Sequence, residues 1–162
     1  LEGYDFPIIR YAEVLLNYAE AVYERDNAIS DADLNISLNL VRQRVNTSMP
    51  ALTNAFVNTN NLEMRTEIRR ERTVELFNEG FRADDLKRWK TAEVEMPQDM
   101  LGIKWTGTEF QTKYPAASSR AKNAEGVLIM ETGRTWAQRN YLYPIPADQL
   151  QLNPNLKPNP GW

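Results

Sequence analysis

From Ile8 to Arg25 the polar residues Arg10, Glu13, Asn17, Glu20 and Glu24 recur at intervals of three and four, and so form one narrow stripe on a helix. Almost every other position is apolar. Ile8, Ala12, Leu15, Ala19 and Val22 make one row and Tyr11, Val14, Tyr18 and Ala21 a second, which predicts a helix over 8–25 packed on two sides. Pro7 suits its start, since proline presets φ and the first turn has no use for its missing N–H. A second helix is predicted over 31–46. Ser30 followed by Asp33 makes a capping-box-like pair, and Leu34, Leu38, Val41 and Val45 line one face. Asn46 and Pro50 are natural terminators. Two such helices make a helix-turn-helix unit of tetratricopeptide type. One unit cannot bury its own faces, so further repeats are expected outside this chain.

The Asn- and Thr-rich stretch 51–61 reads as a loop, with Asn60 or Asn61 capping a third helix over 62–79. Gly80 interrupts it, and a helix over 82–90 should leave in a new direction. Over 91–140 the helical period is lost. Gly102, Gly107, Gly126 and Gly133 interleave with Trp105, Phe110, Tyr114 and Trp136, which predicts a long irregular excursion. Within it Val127, Leu128, Ile129 and Met130 read equally as a strand or a buried connector. Five prolines after Tyr143 make 141–162 an extended strap across the helices, with one helical turn near Asp148. The predicted fold class is all-α: a tetratricopeptide-like helical scaffold with a long irregular excursion and an extended proline-rich C-terminal strap. At 162 residues and 42% hydrophobic content, one compact unit is expected.

Composition removes much familiar chemistry. The chain has no Cys and no His, so thiolate sites, His-based zinc sites and a Ser-His-Asp triad cannot be built. A net charge of −3 from 19 basic and 22 acidic side chains offers no surface for nucleic acid. No stretch has the length and apolarity to cross a bilayer as a helix. The chain begins at Leu1 without Met and enters the helical pattern within a few residues, which suggests a piece of a longer protein; any membrane anchor would lie upstream.

Arg72, Glu75, Glu79, Arg82 and Asp85 recur at roughly one helical face with alternating sign. Paired carboxylates could serve a glycoside hydrolase, but neighbouring opposite charges favour the ionised form, which a general acid cannot be. The cluster reads instead as an ion-pair pin at the Gly80 bend, with Trp89 as a core anchor for the helix pair. Asp84, Asp85, Glu95 and Asp99 lack the regular oxygen spacing of a calcium loop and read as solvated charge. No metal or cofactor is expected.

The run from Glu71 to Trp89, ERTVELFNEGFRADDLKRW, resembles the signature helix pair of the SusD/RagB family. So do the helix after Pro7 and the ending, with Tyr141-Leu142-Tyr143-Pro144-Ile145-Pro146 and the terminal Asn159-Pro160-Gly161-Trp162. The chain departs from the family pattern at Phe81, where a His is usual, and at Ala83 and Asp84, where an aromatic pair precedes the second aspartate. The resemblance implies the C-terminal part of a lipidated outer-membrane protein on the cell-surface side. It implies a protein with tetratricopeptide-like repeats that captures glycans or other nutrients without catalysis and works with a SusC-like TonB-dependent transporter. Membrane contact would come only through an N-terminal lipid anchor absent from this chain. Trp105, Tyr114 and Trp136 are the candidates for ligand contact, because sugar rings stack on loop aromatics, although the same residues would serve to order a long loop. The alternative function is a structural scaffold and transporter-docking region with no ligand site of its own.

Overall fold

Helix α1, Tyr11–Asp26, follows the apolar pattern of its sequence but starts three residues later than expected, which leaves Ile8 of the first row outside it and 88% exposed. In the computed structural model, which describes residues 8–44 and 46–162, it buries Ala12, Leu15, Leu16, Ala19 and Glu20. Asn27 ends it in the left-handed conformation, at φ 52°. Pro7 and Val45, expected as a start signal and a core-facing residue, lie outside the described residues.

The predicted second helix is in fact two, α2, Asp31–Asn35, and α3, Leu38–Arg42. Its start is as expected: the Asp33 N–H donates to Ser30 Oγ at 3.0 Å, and the Ser30 hydroxyl donates to the Asp33 carboxylate at 2.6 Å. Ser37 breaks the continuation. Its hydroxyl donates to the Asp33 carbonyl, and its backbone leaves the helical region at φ −132°, ψ −99°. Leu34, Leu38 and Val41 still reach the core across the break.

The stretch 51–61 is not a plain loop. It contains α4, Asn54–Thr59, whose first turn is capped by Thr53 Oγ1 accepting from the Phe56 N–H at 3.0 Å. Burial of Val57 and partial packing of Phe56 on the core outweigh the weak helix propensity of its asparagines. Buried Asn39 ties this stretch down, donating to the Leu52 carbonyl at 2.9 Å and accepting from the Leu52 N–H at 2.7 Å.

Helix α5, Met64–Glu75, is shorter than the predicted 62–79. Its cap is Glu63 rather than Asn60 or Asn61, with the carboxylate accepting from the Arg65 and Thr66 N–H groups. Burial pushes that carboxyl up, but the hydrogen bonds from Thr66 and Arg65 hold it below its ordinary value. At the far end Asn78 and Gly80 both take positive φ, 62° and 87°, so the bend begins before the glycine.

Helices α1 and α5 run antiparallel. Arg10, at the N-cap of α1, reaches Glu75 and Glu79 at and beyond the end of α5, while Glu24 near the end of α1 meets Arg65 and Arg69 near its start. Helix α3 packs on both. Leu16, Leu34, Leu38, Leu52 and Ile68 are sealed in this tetratricopeptide-like layer. The second apolar row of α1 is not packed among the described residues: Tyr11, Val14 and Tyr18 are 72%, 48% and 41% exposed. Tyr23, further along the helix, does rest against the core.

The chain divides into two compact units, residues 1–82 and 83–162, rather than the single one expected. The first holds the helices above. The second begins in α6, Arg82–Arg88, and continues with α7, Ala92–Glu95. Between them the Thr91 N–H donates to the Leu86 carbonyl and the Lys90 N–H to the Lys87 carbonyl, with Lys90 left-handed at φ 57°. That is a Schellman ending with lysine where glycine is usual.

The excursion 91–140 is less irregular than its glycines suggest. Strands β1, Met100–Lys104, and β2, Val127–Glu131, pair antiparallel, with Leu101 opposite Ile129 and Lys104 opposite Val127. The apolar run at 127–130 is thus a strand, with Leu128 buried. Between the strands lie α8, Phe110–Lys113, and a 3-10 turn at Pro115–Ser119. Gly126 allows the closure, since its carbonyl accepts from both Trp105 and Thr106 at φ 77°, and a Cβ there would sit 2.4 Å from Thr106 Cβ.

The proline-rich tail, expected as an extended strap over the helices, folds back on its own unit. It carries α9, Ala147–Leu152, at the place where one helical turn was expected. The Trp162 indole N–H lies 3.1 Å from the carbonyls of Arg139 and Leu142, and the Asn159 amide donates to the Tyr143 carbonyl at 2.7 Å. The two halves of the C-terminal motif are therefore neighbours.

Candidate functional site

The charged signature is organised by a residue the sequence reading left on the surface. The Arg10 guanidinium donates to Glu79 at 2.6 and 3.0 Å, to the Glu75 carboxylate at 2.9 Å and to the Glu75 carbonyl at 3.0 Å. Hydrogen bonds to Glu79 and then Glu75 raise the affinity of that guanidinium for its proton. Arg44 adds two further contacts to Glu75 at 3.0 and 3.2 Å. Arg72 is buried, donating to Asn17 Oδ1 at 2.8 Å with its guanidinium over the Phe81 ring, and Arg82 donates to Thr73 Oγ1 at 2.9 Å. In the second unit Asp85 is buried and accepts from Arg88 Nε and Nη2, both at 2.8 Å.

In the first unit the carboxylates at the bend are thus tied to the start of α1 through Arg10. The spacing inside the signature could not show this, because the partner lies 65 to 69 residues upstream. Arg69 and Arg70 of α5 meet Glu24 and Glu67. Glu75 and Glu79 spend their oxygens on arginine, so a cleft with two opposed free carboxyls is not what this helix end presents. Trp89, expected in the core, is half-buried with the Arg88 guanidinium 5.0 Å from its ring. Among the described residues no three acidic side chains gather to hold a metal ion, and no helix is long and apolar enough to cross a membrane.

The three candidate aromatics have different surroundings. Trp105 is 9% exposed, with its indole N–H 3.4 Å from the Tyr114 carbonyl and the Lys122 ammonium over its ring. Tyr114 is 57% exposed, and its ring stacks on Phe110 at 5.9 Å. These two share one substructure, Trp105 as its core and Tyr114 as its surface. Trp136 sits apart in the chain, half-buried, with its ring edge-on to Tyr141 at 5.2 Å.

Tyr141 and Tyr143, which the sequence reading used only as part of the C-terminal motif, carry cations. Lys90 Nζ lies 4.1 Å from the Tyr141 ring centre and Lys87 Nζ 3.9 Å from that of Tyr143. Lys87 lies in the last turn of α6 and Lys90 at its Schellman ending.

The sequence model of the SusD family matches residues 2–162. Among solved structures, a SusD-like carbohydrate binding protein from Bacteroides fragilis NCTC 9343 is 30% identical, with a TM-score of 0.71 over 93% of this chain and 28% of its own. A second SusD-like protein from the same organism is 29% identical, with a TM-score of 0.66 over 100% of this chain and 28% of its own. The chain thus spans little more than a quarter of the length of these relatives. No curated protein sequence matches it.

Proposed function

The chain belongs to the SusD family, and on that premise we propose that it is part of a non-catalytic protein that captures glycans at the outer-membrane surface. Such a protein would pass its ligand to a SusC-like TonB-dependent transporter. The observation that carries this reading is the likeness, along nearly the whole chain, to a solved SusD-like carbohydrate binding protein. The carboxylates of the signature helix agree with it, because arginine occupies the oxygens that hydrolysis would need free. Within this chain ligand contact falls to Tyr114, whose exposed ring is backed by Phe110 and so presents a rigid apolar face to a sugar. Trp105 acts in packing behind it, with its indole N–H toward the Tyr114 carbonyl.

Titration calorimetry of the 162-residue chain and of the whole protein against neutral oligosaccharides and peptides tests the proposal. The expected result is heat with an oligosaccharide, reduced by Tyr114→Ala. Heat with the whole protein alone would favour the second reading, in which this region is scaffold and docking surface. The exposed row Tyr11, Val14 and Tyr18 supports that reading. Absence of binding in both samples would remove glycan capture.

A further inference from the structure

All six lysines of the chain lie in the second unit. Among the described residues Lys87 and Lys90 have aromatic rings, not carboxylates, as their partners. A ring face engages an ammonium from one side only, so donor N–H groups remain for an incoming acceptor. Lys90 is also held at φ 57° by the end of α6, a conformation a lysine adopts at a cost and that functional residues often carry. The Tyr141 hydroxyl, on the ring that Lys90 covers, the Trp136 indole N–H, on the ring edge-on to it, and the Thr91 hydroxyl are buried without a hydrogen-bond partner among the described residues. Proteins seldom leave such groups unsatisfied, so this part of the unit has polar capacity that its own residues do not use. Tyr143, 72% exposed, supplies an open ring beside Lys87.

We propose that Lys87, Lys90, Tyr141, Tyr143 and Trp136 form a second sugar-contact surface, selective for saccharides that carry an anionic group, either a carboxylate or a sulfate. The rings take the C–H face of the sugar and the two ammonium groups take the anion. This rests on the glycan-binding reading and adds the charge of the glycan to it.

Titration of the chain with trigalacturonate, with a chondroitin sulfate tetrasaccharide and with maltotriose tests the inference. At least one anionic sugar should bind about tenfold more tightly than the neutral one, and raising the salt concentration should weaken it. The double variant Lys87→Gln, Lys90→Gly should lose that roughly tenfold preference, the value of a charge-assisted hydrogen bond, and leave maltotriose unchanged. Glycine suits the left-handed position at 90, so the fold is retained, and an unchanged melting temperature would show it. Preference for the uronate or for the sulfated sugar identifies the anion. Equal binding of all three, or undiminished anionic preference in the double variant, would overturn the inference while leaving glycan capture standing. Failure of every saccharide would remove both.

Discussion

The Arg10 guanidinium and the Glu79 carboxylate meet in a two-pronged contact of 2.6 and 3.0 Å that ties the N-cap of α1 to the bend after α5. Because the same guanidinium also holds Glu75, its planar fork matters as well as its charge. Arg10→Lys keeps the charge and loses the fork, and should cost about 1–3 kcal/mol. Arg10→Ala should cost more, since it leaves two carboxylates short of a partner. Urea unfolding followed by far-ultraviolet circular dichroism measures both.

The start of α2 should be sensitive to acid. The Asp33 carboxyl is held below its ordinary value of 3.8 by the Ser30 hydroxyl and then by the Tyr18 hydroxyl at 2.7 Å. A group with a lowered folded value stabilises fully above its unfolded value and loses that contribution as pH falls through the folded one. The loss therefore begins near pH 3.8 and continues below it. In urea midpoints measured from about pH 6 to about pH 2, Ser30→Ala should show a shallower fall than the parent chain.

Two glycines should differ in what they tolerate. Gly80 has φ 87° and open space around it, so Gly80→Ala should cost about 1 kcal/mol from backbone strain alone. Gly126 adds a steric barrier, with Thr106 Cβ only 2.4 Å from the new methyl position. Gly126→Ala should cost roughly 3 kcal/mol or more, read as a loss in thermal stability.

The two apolar rows of α1 should separate cleanly by mutation. Leu16→Ala opens a cavity in a sealed core and should cost about 2–5 kcal/mol. Val14→Ala, on the exposed row, should stay within about 0.5 kcal/mol in this chain. Chemical denaturation of both variants makes the comparison.

The helical period made α1 and the apolar face of α2 and α3 legible, because residues three and four apart are neighbours whatever lies beyond the helix. The break at Ser37 was not legible, since a serine at that spacing is compatible with a continuous helix until its hydroxyl finds the Asp33 carbonyl. Helix α4 was hidden for the opposite reason. Its asparagines argue for a loop, and only packing of Val57, together with the Asn39 grip on Leu52, fixes it. In the signature, Glu75 and Glu79 were found by spacing but their partner Arg10 was not, because pairing over such a distance is a property of the fold. The lysine-tyrosine pairs were missed because cations and rings 56 and 51 residues apart leave no local trace. Trp105 was singled out as a candidate for ligand contact, and its buried place in the hairpin, with its backbone N–H donating to the Gly126 carbonyl, is a property of the closed turn that no spacing shows.

Saturation-transfer difference NMR with oligosaccharides is the most direct measure of glycan capture, because it reports which sugar protons lie against the protein. The expected result is transfer from the 162-residue chain to ring C–H protons of an oligosaccharide, reduced in Tyr114→Ala. Absence of transfer to any oligosaccharide, from this chain and from the whole protein alike, would contradict the account.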